Sequence, residues 1–193
     1  MPSAKHSNPS DLLVPELVGI CGRIASGKDT GAAILVEEYG YTHVSLSTEV
    51  HQAVDYFGLG EHSRENLKTA GTLIRMQHGV YHLVNRALLT PERPLVVSGI
   101  YAVEEAERIK QAGGLVVAIV AEQTTRLQRA TERARSGAQQ DTNDFVRADL
   151  IDDSGNYLSL SRVIEFADVT VDSSTMESLQ AGIQALTSQG SPE

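Results

Sequence analysis

The sequence has no tryptophan, a single cysteine and no apolar run that approaches the length needed to cross a membrane. Its first residues also lack the apolar segment of a signal peptide. The lone Cys21 excludes a disulfide within the chain and is typical of a reducing compartment, so we expect a cytoplasmic protein. For Cys21 itself we expect the role of a small apolar residue in a buried strand.

Positive charge is also scarce. The chain has 16 Lys and Arg against 25 Asp and Glu, which gives a net charge of −9 over 193 residues. This balance disfavours general binding to nucleic acid or to an anionic membrane, and we expect neither as a partner. An acidic protein that binds a polyanionic ligand must gather its cations locally, so the position of each Arg is informative. The length favours a single domain.

A glycine-rich loop follows the first apolar segment and leads into a helical pattern. The candidate phosphate-binding residues are Gly22, Arg23, Ile24, Ala25, Ser26, Gly27, Lys28, Asp29 and Thr30. Glycines allow consecutive backbone N–H groups to turn inward around an anion, and the helix that follows directs its positive dipole end at the same place. Lys28 adds a cation for the β- and γ-phosphates. The alternative is a glycine-rich turn beside an exposed lysine.

The loop departs from its usual pattern directly after the lysine. That position normally holds Ser or Thr as a magnesium ligand, whereas this chain has Asp29, followed by Thr30. A carboxylate is a good oxygen ligand for Mg²⁺. We therefore expect Asp29 to bind the ion, either directly or through water.

Five short apolar segments alternate with helical patterns along the chain. The predicted strands are 17–21, 43–46, 95–100, 115–120 and 169–171. The predicted helices cover 27–39, 47–57 with Ser47 or Thr48 as the cap, 63–89 with a break near Gly79, 102–112, 123–135, 145–151, 159–166 and 176–186. This alternation predicts an α/β fold in which a parallel sheet is covered by helices on both faces.

Two arginines of the third predicted helix have helical spacing. Arg64 and Arg75 are eleven residues apart, close to three helical turns, and so point the same way. Lys68 and Arg86 lie near the same line, and we assign those two to a solvated face. A solvated face is the alternative for Arg64 and Arg75 as well, but we favour a positive clamp for a monophosphate.

Three more arginines share one face of the predicted helix 123–135. Arg126, Arg129 and Arg133 occur at positions i, i+3 and i+7. Three guanidinium groups on one face are costly unless an anion meets them. Surface ion pairs with Glu122 and Glu132 are the alternative.

Together these motifs resemble the P-loop kinases of the nucleoside and deoxynucleoside monophosphate kinase group, which includes the dephospho-coenzyme A kinase-like proteins. The resemblance rests on residues 22–30, on Arg64-Glu65-Asn66-Leu67-x-x-x-Gly71-x-x-x-Arg75, on residues 96–99 with the helix that follows, and on residues 126–133. Residues 167–173 resemble the strand and turn that border the adenine in such kinases. The match spans most of residues 16–186 and implies a three-layer α/β/α P-loop fold with a five-stranded parallel sheet.

The resemblance implies one kinase domain over residues 12–188. Residues 1–11, which are rich in Ser, Pro and Asn, and residues 189–193 are expected to be flexible tails. Within that domain, residues 47–90 would form the acceptor-binding helices and residues 122–144 the lid region. ATP would lie with its phosphates on residues 22–30, and Mg²⁺ would be held by Asp29 or Thr30. The catalytic cations would be Lys28, Arg126, Arg129 and Arg133.

The resemblance also places the acceptor. The acceptor phosphate would bind Arg64 and Arg75, and Ser47 and Glu49 would contact the base or sugar of a nucleotide. The implied reaction is transfer of the γ-phosphoryl group of ATP to a small phosphorylated acceptor, a nucleoside or deoxynucleoside monophosphate. Such a transfer depends on positioning and charge neutralisation, and lid closure excludes water.

Two residues depart from the pattern of these kinases. Ser98-Gly99 stands where an Asp-Gly pair usually supports magnesium, and Tyr101 stands where related proteins often have Arg. Residues 45–49 also lack the acidic pair expected of a dephospho-coenzyme A kinase.

Other functions remain open on these grounds. Because of Ser98 and Tyr101, a nucleotide-binding regulator with little turnover is the first alternative, and a kinase for a non-nucleotide phosphate such as a coenzyme precursor is a variant. A GTPase switch is disfavoured because the chain has no Asn-Lys-x-Asp motif.

Overall fold

The computed structural model describes residues 15–135, 142–153 and 158–188. Its strands are β1 (Leu17–Cys21), β2 (Thr42–Ser45), β3 (Leu95–Ser98), β4 (Leu115–Val120) and β5 (Val169–Asp172). Its helices are α1 (Lys28–Tyr39), α2 (Leu46–Tyr56), α3 (Arg64–His78), α4 (His82–Leu88), α5 (Val103–Gln111), α6 (Gln123–Arg135), α7 (Thr142–Asp153), α8 (Leu160–Phe166) and α9 (Met176–Ser188). The predicted tails at 1–11 and 189–193 and the centre of the predicted lid region lie outside the described residues.

The strands form one parallel sheet in the order β2-β3-β1-β4-β5. Helices α1 and α9 pack against one face of the sheet, and α5 and α8 pack against the other. The helices α2, α3 and α4 share the core of the face that α5 and α8 cover. Because both faces are covered, the central strands are buried along almost their whole length, as their continuous apolar sequences predict. The expected α/β fold is confirmed.

The strand order places a crevice above β1. The chain leaves β1 to build one half of the sheet and returns to the other side of β1 for the second half. Such a reversal opens a ligand site outside the carboxyl ends of the strands. Cys21 closes β1 beneath that site, and burial raises the pKa of its thiol to about 12, so it is a packing residue and not a nucleophile.

One helix boundary differs in detail from the sequence pattern, and the break expected near Gly79 is present. Helix α2 begins directly after β2 with Ser45 as its N-cap, two residues before Ser47 and three before Thr48, the residues predicted to cap it. The predicted helix over 63–89 divides at Gly79, which has a φ of +92°, into α3 and α4. Within the described part of the chain, no helix is long and apolar enough to cross a membrane.

Candidate active site

The loop between β1 and α1 has the tight backbone that its glycines predict. Gly27 has a φ of +89° at the helix N-terminus, and Ala25 also takes a positive φ, +58°. A β-carbon on Gly22 would lie 2.5 Å from both the carbonyl oxygen of Ile119 and the hydroxyl of Ser26. The loop therefore packs against the end of β4 so closely that only glycine fits at position 22, and its conformation forms a cradle of the kind that binds phosphates.

Lys28 and Asp29 occupy the first turn of α1 and face one cavity. The ammonium of Lys28 lies 3.2 Å from a carboxylate oxygen of Asp29, whose side chain is 67% exposed. Both residues line the cavity, whereas Thr30 is not part of its lining. The arrangement favours Asp29 over Thr30 as the metal ligand.

The cavity has a volume of about 280 Å³ and joins the predicted phosphate loop, residues 22–30, to the helices α2 and α3. The loop residues that line it are Gly22, Ile24, Lys28 and Asp29. The lining residues from the rest of the chain are Ser47, Val50, His51, Arg64, Leu67, Lys68, Gly71, Arg75, Gly99, Tyr101, Asp152 and Leu158. Several of the predicted nucleotide and acceptor residues thus meet at one site, although long stretches of chain separate them.

Arg64 enters this cavity from the start of α3. Its Nε donates to Asp152 Oδ1 at 2.9 Å and its Nη2 to Asp152 Oδ2 at 2.7 Å, and Nη2 also donates to the hydroxyl of Tyr101. Burial tends to lower the pKa of Arg64, but Tyr101 and Asp152 outweigh it and raise that pKa above its ordinary value. Its Nη1 has no partner within the described ranges and is available to a ligand.

The guanidinium of Arg75 is bound to other parts of the protein, whereas the sequence predicted that it would clamp the acceptor phosphate. Its Nε and Nη2 donate to Glu105 Oε1 at 3.0 and 2.6 Å, and its Nη1 donates to the carbonyl of Gly71 at 2.8 Å. The side chains of Arg75 and Glu105 are 4% and 0% exposed. Because every nitrogen of this guanidinium has a partner, Arg75 lines the cavity as part of a buried ion pair instead of offering a free donor.

Of the two residues predicted to contact a base or sugar, only Ser47 lines the cavity. Its hydroxyl lies 2.8 Å from that of Ser45. Glu49 lies on another side of α2 and pairs with Arg86 of α4 at 3.1 Å. A position two residues further along a helix points to a different face, so the expectation that Glu49 joins Ser47 at the site is not met.

The arginines of α6 have partners from outside their own helix. Arg126 is buried and binds both carboxylate oxygens of Asp149 on α7, at 2.7 and 2.6 Å. Arg129 lies against the phosphate loop, where it donates to the carbonyls of Ser173 and Ser174 and is 3.5 Å from that of Ala25. Arg133 is exposed.

Two of these arginines therefore stabilise the wall around the phosphate loop. The ion pairs considered from the sequence, with Glu122 and Glu132, do not account for Arg126, whose partner lies 23 residues away. Arg23 makes a similar contact, since its Nη2 donates to Asp153 at 2.5 Å and to Ser161 at 2.6 Å, away from the cavity.

Ser98 occupies the end of β3, where an acid was expected to support magnesium. It is buried, and its hydroxyl lies 2.8 Å from Nε2 of His43 on the edge strand β2. Burial lowers the pKa of His43, although the Asp29 carboxylate opposes that shift. This end of β3 thus presents a neutral hydrogen-bonded pair in place of an acid. A carboxylate available to magnesium is instead that of Asp29, within the predicted phosphate loop.

Sequence reasoning missed two members of the site. Asp152 is 1% exposed and fixes Arg64, but its position on α7 gives no signal that it reaches back across 88 residues. Lys68, assigned above to a solvated face, lines the cavity, and its ammonium donates to the carbonyl of Ile151. Lys68 is four residues after Arg64, so helical spacing places the two on one side of α3. That spacing is the sequence signal that could have assigned Lys68 to the site.

Solved structures with the same fold include kinases of small molecules. A Thermus thermophilus protein designated TT1252 superposes with a TM-score of 0.61 at 20% identity, over 93% of this chain and 100% of that one. A shikimate kinase from Acinetobacter baumannii superposes with a TM-score of 0.56 at 20% identity, over 92% of this chain and 93% of that one. A gluconokinase from Sinorhizobium meliloti 1021 superposes with a TM-score of 0.51 at 16% identity, over 90% of this chain and 94% of that one. This chain therefore shares its fold with these kinases.

Among curated proteins, a UPF0200 protein of Aeropyrum pernix is 32% identical over 126 residues. That match covers 63% of this chain and 66% of the relative, which is slightly less than two thirds of its length. No protein-family model matches the chain.

Proposed function

We propose that this protein is an ATP-dependent phosphotransferase that moves the γ-phosphoryl group of ATP to a small phosphorylated acceptor, a nucleoside or deoxynucleoside monophosphate. One observation carries the proposal: a single cavity connects the phosphate loop, through Lys28 and Asp29, to the guanidinium of Arg64. A kinase needs its two phosphate-binding regions in one enclosed space, because transfer requires both substrates in line.

The residues present fit a magnesium nucleotide. The close-packed loop from Gly22 to Gly27 would hold the phosphates through its backbone N–H groups, and Lys28 would neutralise charge on the β- and γ-phosphates. The exposed carboxylate of Asp29 faces the cavity and would hold Mg²⁺, which supplies further charge neutralisation when bound. Arg129, which touches the loop and Ser173, would support the loop from the side of the nucleotide.

Arg64 would bind the acceptor phosphate. Its Nη1 is available, and Asp152 and Tyr101 fix the orientation of the guanidinium before a ligand arrives. Preorganisation of this kind reduces the entropy lost on binding. A phosphate acceptor is already ionised, so positioning by Arg64 and charge neutralisation by Lys28 would be the main contributions to its transfer.

The acceptor class has one alternative within the kinases. Two of the structural neighbours act on shikimate and gluconate according to their names. A non-nucleotide phosphate such as a coenzyme precursor would also fit a cavity lined by Arg64 and Lys68. A regulator that binds nucleotide without turnover is the second candidate, favoured by the neutral Ser98–His43 pair at the end of β3.

ADP release from ATP and Mg²⁺ tests these proposals together. It is measured with each common ribo- and deoxyribonucleoside monophosphate, dephospho-coenzyme A, shikimate and gluconate in turn. We expect one monophosphate to stimulate release strongly. Stimulation by shikimate or gluconate alone would overturn the phosphorylated-acceptor class, and ATP binding without release in any mixture would favour the regulator.

Replacing Arg64 by alanine is expected to affect the acceptor selectively. Loss of a charge-assisted hydrogen bond should raise the KM for the acceptor about 10- to 100-fold and leave the KM for ATP within about twofold. Steady-state kinetics with each substrate varied separately measures both. Arg86→Ala is the matched control, because Arg86 is exposed and pairs with Glu49 outside the cavity. Equal effects on the two KM values would remove Arg64 from the acceptor site.

Asp29 should determine the magnesium requirement. We expect Asp29→Ala to raise the Mg²⁺ concentration needed for half-maximal rate at least about tenfold, because an oxygen ligand is lost. Asp29→Ser restores the residue type usual after the lysine and should recover most of the affinity. A magnesium titration at saturating ATP compares the variants. An Asp29→Ala curve that matches the wild type would show that the ion is held elsewhere.

A further inference from the structure

Three polar side chains beside the cavity form a hydrogen-bonded chain to which the proposed transfer has so far given no role. Nε2 of His62, in the loop between α2 and α3, lies 2.8 Å from Oδ1 of Asp55. Nδ1 of His62 lies 2.8 Å from Nδ1 of His51, and the two rings are 5.1 Å apart between centroids. His51 lines the cavity, so the chain runs from the exposed carboxylate of Asp55 to the site itself.

The geometry fixes which nitrogen carries each proton when both rings are neutral. The Asp55 carboxylate only accepts, so Nε2 of His62 must donate to it. Nδ1 of His62 is then unprotonated and can only accept, which requires Nδ1 of His51 to donate. The remaining nitrogen, Nε2 of His51, is therefore unprotonated, and it has no partner in the described residues.

We propose that His51 uses this unprotonated Nε2 to accept a hydrogen bond from a hydroxyl or amino group of the acceptor, and that His62 and Asp55 are positioning residues that hold it in that tautomer. The inference rests on the proposed function and deepens it, because it specifies a second feature of the acceptor. The compound carries a phosphate that Arg64 binds and an O–H or N–H donor that His51 binds.

The surroundings of His51, above all its burial, favour the neutral form of its ring. Burial lowers its pKa from the ordinary 6.5, the neighbouring His62 and Arg64 lower it further, and Asp55 opposes them. Lys28, Lys68, Asp29 and Asp152 line the same cavity and are the other charged groups that face it with Arg64 and Arg75. Below that lowered pKa, Nε2 becomes a donor, so the contact with a donor group of the acceptor is lost as the pH falls.

The tautomer can be measured without any ligand. ¹⁵N–¹H correlation spectra of the imidazole rings in the full-length protein distinguish a protonated from an unprotonated ring nitrogen. We expect Nε2 of His51 to be unprotonated at neutral pH in the wild type. In Asp55→Asn an amide N–H can donate to His62, which reverses the chain, and Nε2 of His51 is expected to gain protonated character. A protonated Nε2 in the neutral ring of the wild type would overturn the proposal.

Kinetics with the panel compound that gives the most ADP release test the acceptor contact. We expect His51→Ala and Asp55→Asn to raise the KM for that compound about five- to tenfold with little change in the KM for ATP. His51→Gln retains an acceptor oxygen that does not titrate, so it should recover most of the affinity and weaken the loss of binding at acid pH. His78→Ala, at an exposed histidine of α3 outside the cavity, is the matched control.

The outcomes separate the inference from the proposed function. Strong ADP release by the wild type with an unchanged KM in His51→Ala would overturn the inference and leave the kinase intact. Absence of release with every compound would overturn the proposed function and, with it, the acceptor contact, while the spectra would still establish or reject the tautomer.

Discussion

Lys28→Ala is expected to lower the rate of acceptor-dependent ADP formation about 100- to 1,000-fold. Charge accumulates on the transferred phosphoryl group during the reaction, and Lys28 faces the cavity from the first turn of α1, beside the loop backbone. The lysine is preorganised there and is therefore worth more than the same charge in water. Loss of its ammonium should also weaken ATP binding, since the same group meets the nucleotide before transfer.

Single-turnover ADP formation with saturating ATP measures the loss of transfer rate alone. Equilibrium binding of ATP measures the loss of nucleotide affinity. Lys110→Ala removes the same charge from α5, where Lys110 pairs with Asp168 at 2.7 Å outside the cavity, and provides the control. Transfer retained in Lys28→Ala at a rate near that of Lys110→Ala would place the active site elsewhere.

Arg75→Ala is expected to act on stability more than on binding. The carboxylate of Glu105 is fully buried, and it also accepts hydrogen bonds from the backbone N–H groups of Tyr101 and Ala102 at 3.0 and 3.1 Å. Removal of Arg75 leaves this charge buried without its cation, which should lower the free energy of unfolding by about 3 to 5 kcal/mol. Urea or thermal denaturation measures the change.

Arg86→Ala provides the comparison for that result. Arg86 also pairs with a glutamate, Glu49, but the two side chains are 60% and 31% exposed. Solvent screens such a pair, so its loss should cost less than about 1 kcal/mol. If Arg75→Ala were as stable as Arg86→Ala and instead raised the KM for the acceptor, Arg75 would be an acceptor ligand, as its spacing from Arg64 first suggested.

The fold was predictable because local sequence determines most of it. The strands β1, β3 and β4 are short runs that are mostly apolar, and residues 22–28 combine the glycines and the lysine that a phosphate loop requires within one short stretch of chain. Gly79 likewise carries its own conformational signal, since it ends α3 with a positive φ. Each of these signals can be recognised from residues that are close together in the chain.

The ion pairs of the site were not predictable for the opposite reason. Helical spacing places Arg64 and Arg75 on one side of α3, but it cannot show that Asp152 orients the first and Glu105 neutralises the second. Those partners come from other elements, 88 and 30 residues away. Arg126 illustrates the same limit, because its bond to Asp149 arises only when α6 and α7 pack together.

The most direct test of the central proposal is the ³¹P NMR spectrum of the products formed from ATP, Mg²⁺ and the most active monophosphate of the panel. We expect the γ-phosphorus signal of ATP to disappear as the acceptor phosphorus becomes part of a new phosphoanhydride, with ADP as the other product. Formation of inorganic phosphate alone, with the acceptor unchanged, would contradict the proposal and identify the protein as a nucleotide hydrolase.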